Sequence, residues 1–139
     1  METSHIGIQT VGIGEIASMG ALIFVAGDRG KRILSRNSFV MTHQFAGVIA
    51  GKAHEMIAVR KVHDKLENQF ISHFVKHTKM SAKQVRDILL RESDTWLEPK
   101  EALKYGLCDI TSDPWSQLTE FAPQKKQRKT AVKKTTTRK

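Results

Sequence analysis

The chain has 139 residues, a net charge of +9 and a single cysteine, Cys108. That length suits one domain with a real core, and one thiol excludes an intrachain disulfide framework and fits a reducing compartment. Eight basic residues and no acid fall between Pro123 and Lys139, so the basic balance belongs to a tail and the body is close to neutral.

No apolar run approaches the ~18 residues of a membrane span. Met1-Glu2-Thr3-Ser4-His5 carries neither the basic nor the apolar part of a secretory signal. A soluble, cytoplasmic protein is expected.

Taken in order, His5 to Gly12 reads as a strand, and Gly14-Glu15-Ile16-Ala17-Ser18-Met19-Gly20 as a small-residue turn. The apolar run Ala21 to Ala26 suits a buried helix that Gly27 stops. Asp28 to Lys31 is a turn, Arg32 to Leu34 a short strand, Ser35 to Ser38 a second turn, and Phe39 to Thr42 another strand. His43-Gln44 ends that strand, and Phe45 to Gly51 is small and apolar.

From Lys52 to His77, Met56, Val59, Val62, Leu66, Phe70 and Phe74 recur every three or four residues. That spacing predicts a long amphipathic helix. It is longer than a small domain needs, so it projects or packs on a second subunit.

Ser81-Ala82-Lys83-Gln84 has capping-box form and opens a helix through Leu90. Glu98-Pro99 opens another through Tyr105, stopped by Gly106, and Leu107 to Ile110 reads as a last strand. Gln124 to Lys139, rich in Lys and Thr, is expected to be disordered. Strands alternating with helices define an α/β domain over residues 1–115, followed by a basic tail over 116–139. On composition, the tail is a solvated extension rather than a nucleic-acid-binding arm.

Ser18 sits where a turn meets a helix. A serine there either caps the helix or presents a nucleophilic hydroxyl beside free backbone N–H groups. A nucleophile needs a base and an acid. His54, His63, His73 and His77 fall on the long helix. The four-residue spacing of His73 and His77 lacks the further ligands of a zinc site, and the pair reads as solvated. His43 lies at a strand's C-terminal end, where functional groups gather in α/β sheets. Asp28, Asp64, Asp87, Asp94, Asp109 and Asp113 all remain open as the acid. Cys108, flanked by apolar residues, reads as a buried structural thiol.

Three ordered segments carry a resemblance. They are Gly14 to Ala21, Asn37 to Gln44, and Asp94-Thr95-Trp96-Leu97 with Glu101 to Asp109. Together they resemble the nucleophile, histidine and aspartate motifs of the Clp protease proteolytic-subunit family, from about Ile8 to Ile110. The resemblance implies a crotonase-like α/β fold, a β-β-α superhelix with a long handle helix at Lys52 to His77. It implies Ser18 as nucleophile, His43 as base, Asp94 as orienting acid and the Met19 N–H as an oxyanion donor, with no metal or cofactor. It further implies peptide-bond hydrolysis within homo- or hetero-oligomeric rings served by an ATP-dependent unfoldase, with unfolded polypeptides as substrates.

Family members carry an N-terminal third ahead of these motifs, with unfoldase-docking loops and a glycine donor for the oxyanion. The chain is thus expected to be N-terminally truncated, and a non-catalytic ring subunit is the alternative.

Overall fold

The computed structural model describes residue 1, residues 3–44 and residues 47–113. Phe45 and the basic tail at 116–139 lie outside the described residues. The elements are β1 (Thr10–Gly12), β2 (Glu15–Ala17), α1 (Met19–Val25), β3 (Arg32–Ser35), β4 (Phe39–Thr42), α2 (Ala53–His77), α3 (Ala82–Gln84), β5 (Thr95–Leu97), α4 (Pro99–Tyr105) and β6 (Ile110–Ser112).

The strands form two three-stranded sheets. One is parallel, in the order β1-β3-β6; the other, β2-β4-β5, pairs β2 with β4 in parallel and β4 with β5 antiparallel. Two successive β-β-α runs, β1-β2-α1 and β3-β4-α2, therefore lay equivalent strands side by side. The core between them gathers Phe24, Val25, Leu34, Val40, Ile71, Phe74, Val85, Leu89, Leu97 and Leu107, all nearly inaccessible. Each large side chain of this kind contributes about 1.5–3 kcal/mol by leaving water.

Several expected boundaries move. The first strand is only Thr10–Gly12; ahead of it, Ile8 exchanges hydrogen bonds with Asp28, whose backbone N–H reaches the Ile8 carbonyl (2.9 Å) while Asp28 Oδ2 accepts from the Ile8 N–H (3.1 Å). Glu15–Ala17, expected within a turn, is a strand because Gly14 (φ 75°) swings the chain onto β4. Thr95–Leu97 is a strand too short to show alternation. The last strand lies at Ile110–Ser112 rather than from Leu107. Gly106 (φ 78°) ends α4 in a left-handed cap, and the Leu107 N–H returns to the Ala102 carbonyl at 2.8 Å, which ties Leu107 to the helix exit. The helix opening at Ser81 changes after one turn into a π-helical turn, Val85–Leu89, closed by the Leu90 N–H on the Val85 carbonyl at 3.0 Å.

Helix α2 forms as its periodicity predicts, and its 25 residues extend about 38 Å. From Ala53 to Gln69 only His63 and Leu66 are even half-buried; burial begins at Phe70 and deepens at Ile71 and Phe74. The inner end is held firmly. Arg29 Nη2 donates to the Lys76 carbonyl at 2.9 Å, and Arg32 Nη1 donates to that of His77.

Arg32 is also the centre of an ion pair between its buried guanidinium and the half-buried carboxylate of Asp109. Its Nε and Nη2 donate to Asp109 Oδ2 (2.8 Å) and Oδ1 (2.6 Å), and the N–H groups of Gly30 and Arg32 complete the carboxylate's set. Burial pushes the Asp109 carboxyl up, but the Arg32 hydrogen bonds and charge outweigh it and hold it below the ordinary range. Among the described residues no helix is long and apolar enough to cross a membrane.

Candidate active site

The corner that carries Ser18 is built by hydrogen bonds to β4. Ser38, fully buried, accepts from the Gly14 N–H at 2.9 Å, and the Phe39 N–H donates to the Gly14 carbonyl at 2.9 Å. The parallel register then runs Glu15 to Phe39, Ile16 to Val40 and Ala17 to Met41. The Ser18 N–H extends it, reaching the Met41 carbonyl at 2.9 Å.

Ser18 itself adopts φ 53°, ψ −118°, the sole positive φ among described residues other than glycine. Such a conformation costs about 1–3 kcal/mol and persists only where surrounding structure imposes it. Although Ser18 occupies the N-cap position of α1, its side chain makes no capping hydrogen bond. The hydroxyl instead lies 3.0 Å from His43 Nε2.

The other ring nitrogen of His43, Nδ1, contacts the Gln44 carbonyl. A carbonyl only accepts, so in the neutral ring the hydrogen is assigned to Nδ1, which leaves Nε2 a lone pair for the Ser18 O–H. That is the tautomer a general base requires. Met19, the first residue of α1, has an N–H without an intrahelical acceptor.

Asp94 is exposed and immediately precedes β5. The ladder pairs Val40 with Leu97, Met41 with Trp96 and Thr42 with Thr95, so His43 and Asp94 are the next residues along the two strands. Thr95 Oγ1 donates to the Ile88 carbonyl at 2.8 Å and fixes this end of β5 to the π-helical turn. Three other aspartates are engaged elsewhere: Asp28 with Lys31 (3.2 Å), Asp64 with Arg60 (3.0 Å), and Asp109 with Arg32.

A cleft of about 170 Å³ opens beside the Ser18 hydroxyl. Its apolar walls come from Met19 and Leu22 of α1, Phe70 and Phe74 of α2, and Leu90; Thr42, His43 and Gln44 supply its polar side. The sequence marked Phe70 and Phe74 only as part of the helix stripe. In the fold they also line the cleft, opposite Thr42, His43 and Gln44. No local signal in the sequence distinguishes Leu90 or Thr42.

His73 departs from the expected solvated state. It is half-buried and donates from Nε2 to the Leu22 carbonyl of α1 at 2.9 Å, with the His77 ring 4.6 Å away. Among the described residues no group of three or more His, Cys, Asp or Glu is placed to hold a metal. Cys108 is buried as expected; burial first, and the Asp109 charge second, push its thiol up to about 11. A thiol so protonated is a poor nucleophile.

A serine hydroxyl on a strained strand-to-helix corner, 3.0 Å from an imidazole nitrogen, is suited to nucleophilic chemistry. Residues 1–113 match the profile of the Clp protease family, and the chain belongs to that family. It is 36% identical over 107 residues to the ATP-dependent Clp protease proteolytic subunit of Deinococcus radiodurans, covering 76% of this chain and 51% of the relative. It is also 36% identical over 112 residues to the ATP-dependent Clp protease proteolytic subunit 2 of Thermobifida fusca, covering 77% and 53%. The chain spans about half the length of these curated relatives.

Proposed function

We propose that this chain is a serine-type endopeptidase subunit of a Clp-like compartmentalised protease. The observation that carries the reading is the 3.0 Å approach of Ser18 Oγ to His43 Nε2.

In this reading Ser18 Oγ attacks the scissile carbonyl while His43 Nε2 takes its proton. The imidazolium then protonates the leaving amine, and water releases the acyl group by the reverse proton path. Asp94 stabilises the imidazolium, and the Met19 N–H holds the developing oxyanion. The apolar walls of the cleft receive the side chain on the acyl side.

Helix α2 is the handle by which subunits of a homo- or hetero-oligomeric ring interlock, which fits its exposed outer length. The β-β-α runs form part of a crotonase-like superhelix. An ATP-dependent unfoldase delivers unfolded polypeptides in the cytoplasm, and no cofactor resides on this subunit. Ser18 of the full chain should be labelled by a fluorophosphonate probe, and Ser18→Ala should not be. Absence of labelling in the assembled oligomer would remove the peptidase reading.

One observation favours a second reading, a non-catalytic subunit of a Clp-like ring. Among the described residues, the hydrogen bond of His43 Nδ1 goes to the Gln44 carbonyl and none is seen to Asp94. A carbonyl fixes the tautomer but stabilises the imidazolium less than a carboxylate does. This reading expects assembly without probe labelling.

A further inference from the structure

The strain at Ser18 has to be imposed from outside the residue, because a free serine relaxes out of φ 53°. Two backbone bonds grip the residue itself: its N–H on the Met41 carbonyl at 2.9 Å, and the Ala21 N–H on its own carbonyl at 3.0 Å. What they grip is decided upstream, since the three residues of β2 are all that lies between Gly14 and Ser18. The start of β2 is tied to Ser38. This side chain is 0% exposed, and its Oγ accepts the Gly14 N–H at 2.9 Å and donates to the Gly12 carbonyl at 3.4 Å. Gly12 ends β1 in one sheet, and Gly14 precedes β2 in the other. One hydroxyl therefore spans the bend at Ile13, where the chain passes between the sheets.

We propose that Ser38 is a positioning residue for the nucleophile: its hydroxyl fixes where β2 begins and so holds Ser18 in the strained conformation that presents Oγ to His43. The chemical half of this inference rests on the peptidase reading of the site; the mechanical half does not. A start later by one residue turns each β2 side chain to the opposite face and draws Ser18 off the Met41 carbonyl. The residue type is matched to the task. A hydroxyl donates and accepts at one atom, so it satisfies a carbonyl and an N–H on either side of a single residue. Alanine leaves both unpaired, and cysteine fills the space with only a weak donor and acceptor. Ser38 also precedes β4 at the second run's own passage between the sheets. The segment that opens the strand leading to His43 therefore also sets the strand leading to Ser18.

The test is a double-mutant cycle on the full chain, read as midpoints of urea unfolding. With Ser38 in place, Ser18→Gly should unfold at a higher urea concentration than Ser18→Ala, because glycine accepts φ 53° without strain. Combined with Ser38→Ala, that difference should fall by about half or more, because the corner is released to relax. Ser38→Thr, which keeps the hydroxyl, should preserve the difference; Ser38→Cys, which keeps the bulk, should lose it as Ser38→Ala does. With Ser18 intact, the rate of fluorophosphonate labelling should drop about tenfold in Ser38→Ala and Ser38→Cys and return in Ser38→Thr. Equal midpoints of Ser18→Gly and Ser18→Ala beside Ser38, or a difference that survives Ser38→Ala or Ser38→Cys, overturns the proposal. A cycle that behaves as expected while wild type itself is not labelled removes the peptidase reading alone. Labelling that ignores all three Ser38 substitutions removes the positioning role alone.

Discussion

The backbone N–H of Ser18 donates to the carbonyl of Met41 at 2.9 Å, so the serine corner is fastened to β4, the strand that leads into His43. His43 lies only two residues beyond Met41. Ser18 and His43 are therefore positioned by the same strand, His43 being the residue that follows its last ladder pair, Thr42 with Thr95. The pair owes its geometry to backbone hydrogen bonding, and side-chain truncation at either position should leave the corner standing.

The strain at Ser18 separates stability from chemistry. Ser18→Gly removes the Cβ that makes φ 53° costly, while Ser18→Ala keeps it. Thermal or denaturant unfolding should find Ser18→Gly about 1 kcal/mol more stable than Ser18→Ala, after the entropy loss specific to glycine. Both variants should lack probe labelling. Equal stabilities would mean that the corner is not strained.

The role proposed for Asp94 is open to test, because the β4–β5 register places it beside His43. Asp94→Asn should lower the rate of Ser18 labelling by about 100-fold or more, with thermal stability unchanged, because the exposed side chain supports no packing. A labelling rate equal to wild type would assign the orienting role to the Gln44 carbonyl and remove Asp94 from the site.

The Arg32–Asp109 pair gives a stability prediction with a defined pH window. Asp109 has its folded pKa held below the unfolded value of 3.8. Its stabilisation is therefore present above that value and fades as pH falls through the lower, folded pKa. Asp109→Asn strips a buried guanidinium of its counter-charge and should cost about 3 kcal/mol at neutral pH. Urea unfolding at pH 7 and at pH 3 should show the variant's deficit shrinking at the acid end.

Cys108 behaves in the opposite sense. Its thiol is raised from 9.0 to about 11 by burial, so folding favours the protonated form. That contribution is complete below pH 9.0 and is lost as pH rises towards about 11. The native chain should resist alkylation by iodoacetamide at pH 8 and react fully in urea. Rapid native alkylation would contradict the burial.

What the sequence disclosed followed from the physics of each signal. The 25-residue α2 announced itself because period-3.6 spacing accumulates over many turns, and Glu98-Pro99 and Gly106 marked α4 because capping is local. Glu15–Ala17 and Thr95–Leu97 were hidden because three residues cannot establish alternation; their pairing with β4 is decided by partners far along the chain. Ser18 and His43 could be singled out from motifs, but their approach depends on the Ser38 clamp and on Gly14, neither of which looks unusual in sequence.

The ion pair at the base of the fold has a consequence in time as well as in energy. Arg32 and Asp109 are separated by 77 positions, and β6 closes against β3 immediately after Asp109. A nascent chain emerging from the ribosome holds Arg32 and the β3 edge long before either has its partner. Both sheets can begin to pair early, yet the buried guanidinium stays hydrated until almost all of the described chain has been made. The edge of β3 that β6 covers and the charge of Arg32 thus share one deadline, since Asp109 and β6 arrive together at the far end of the described chain.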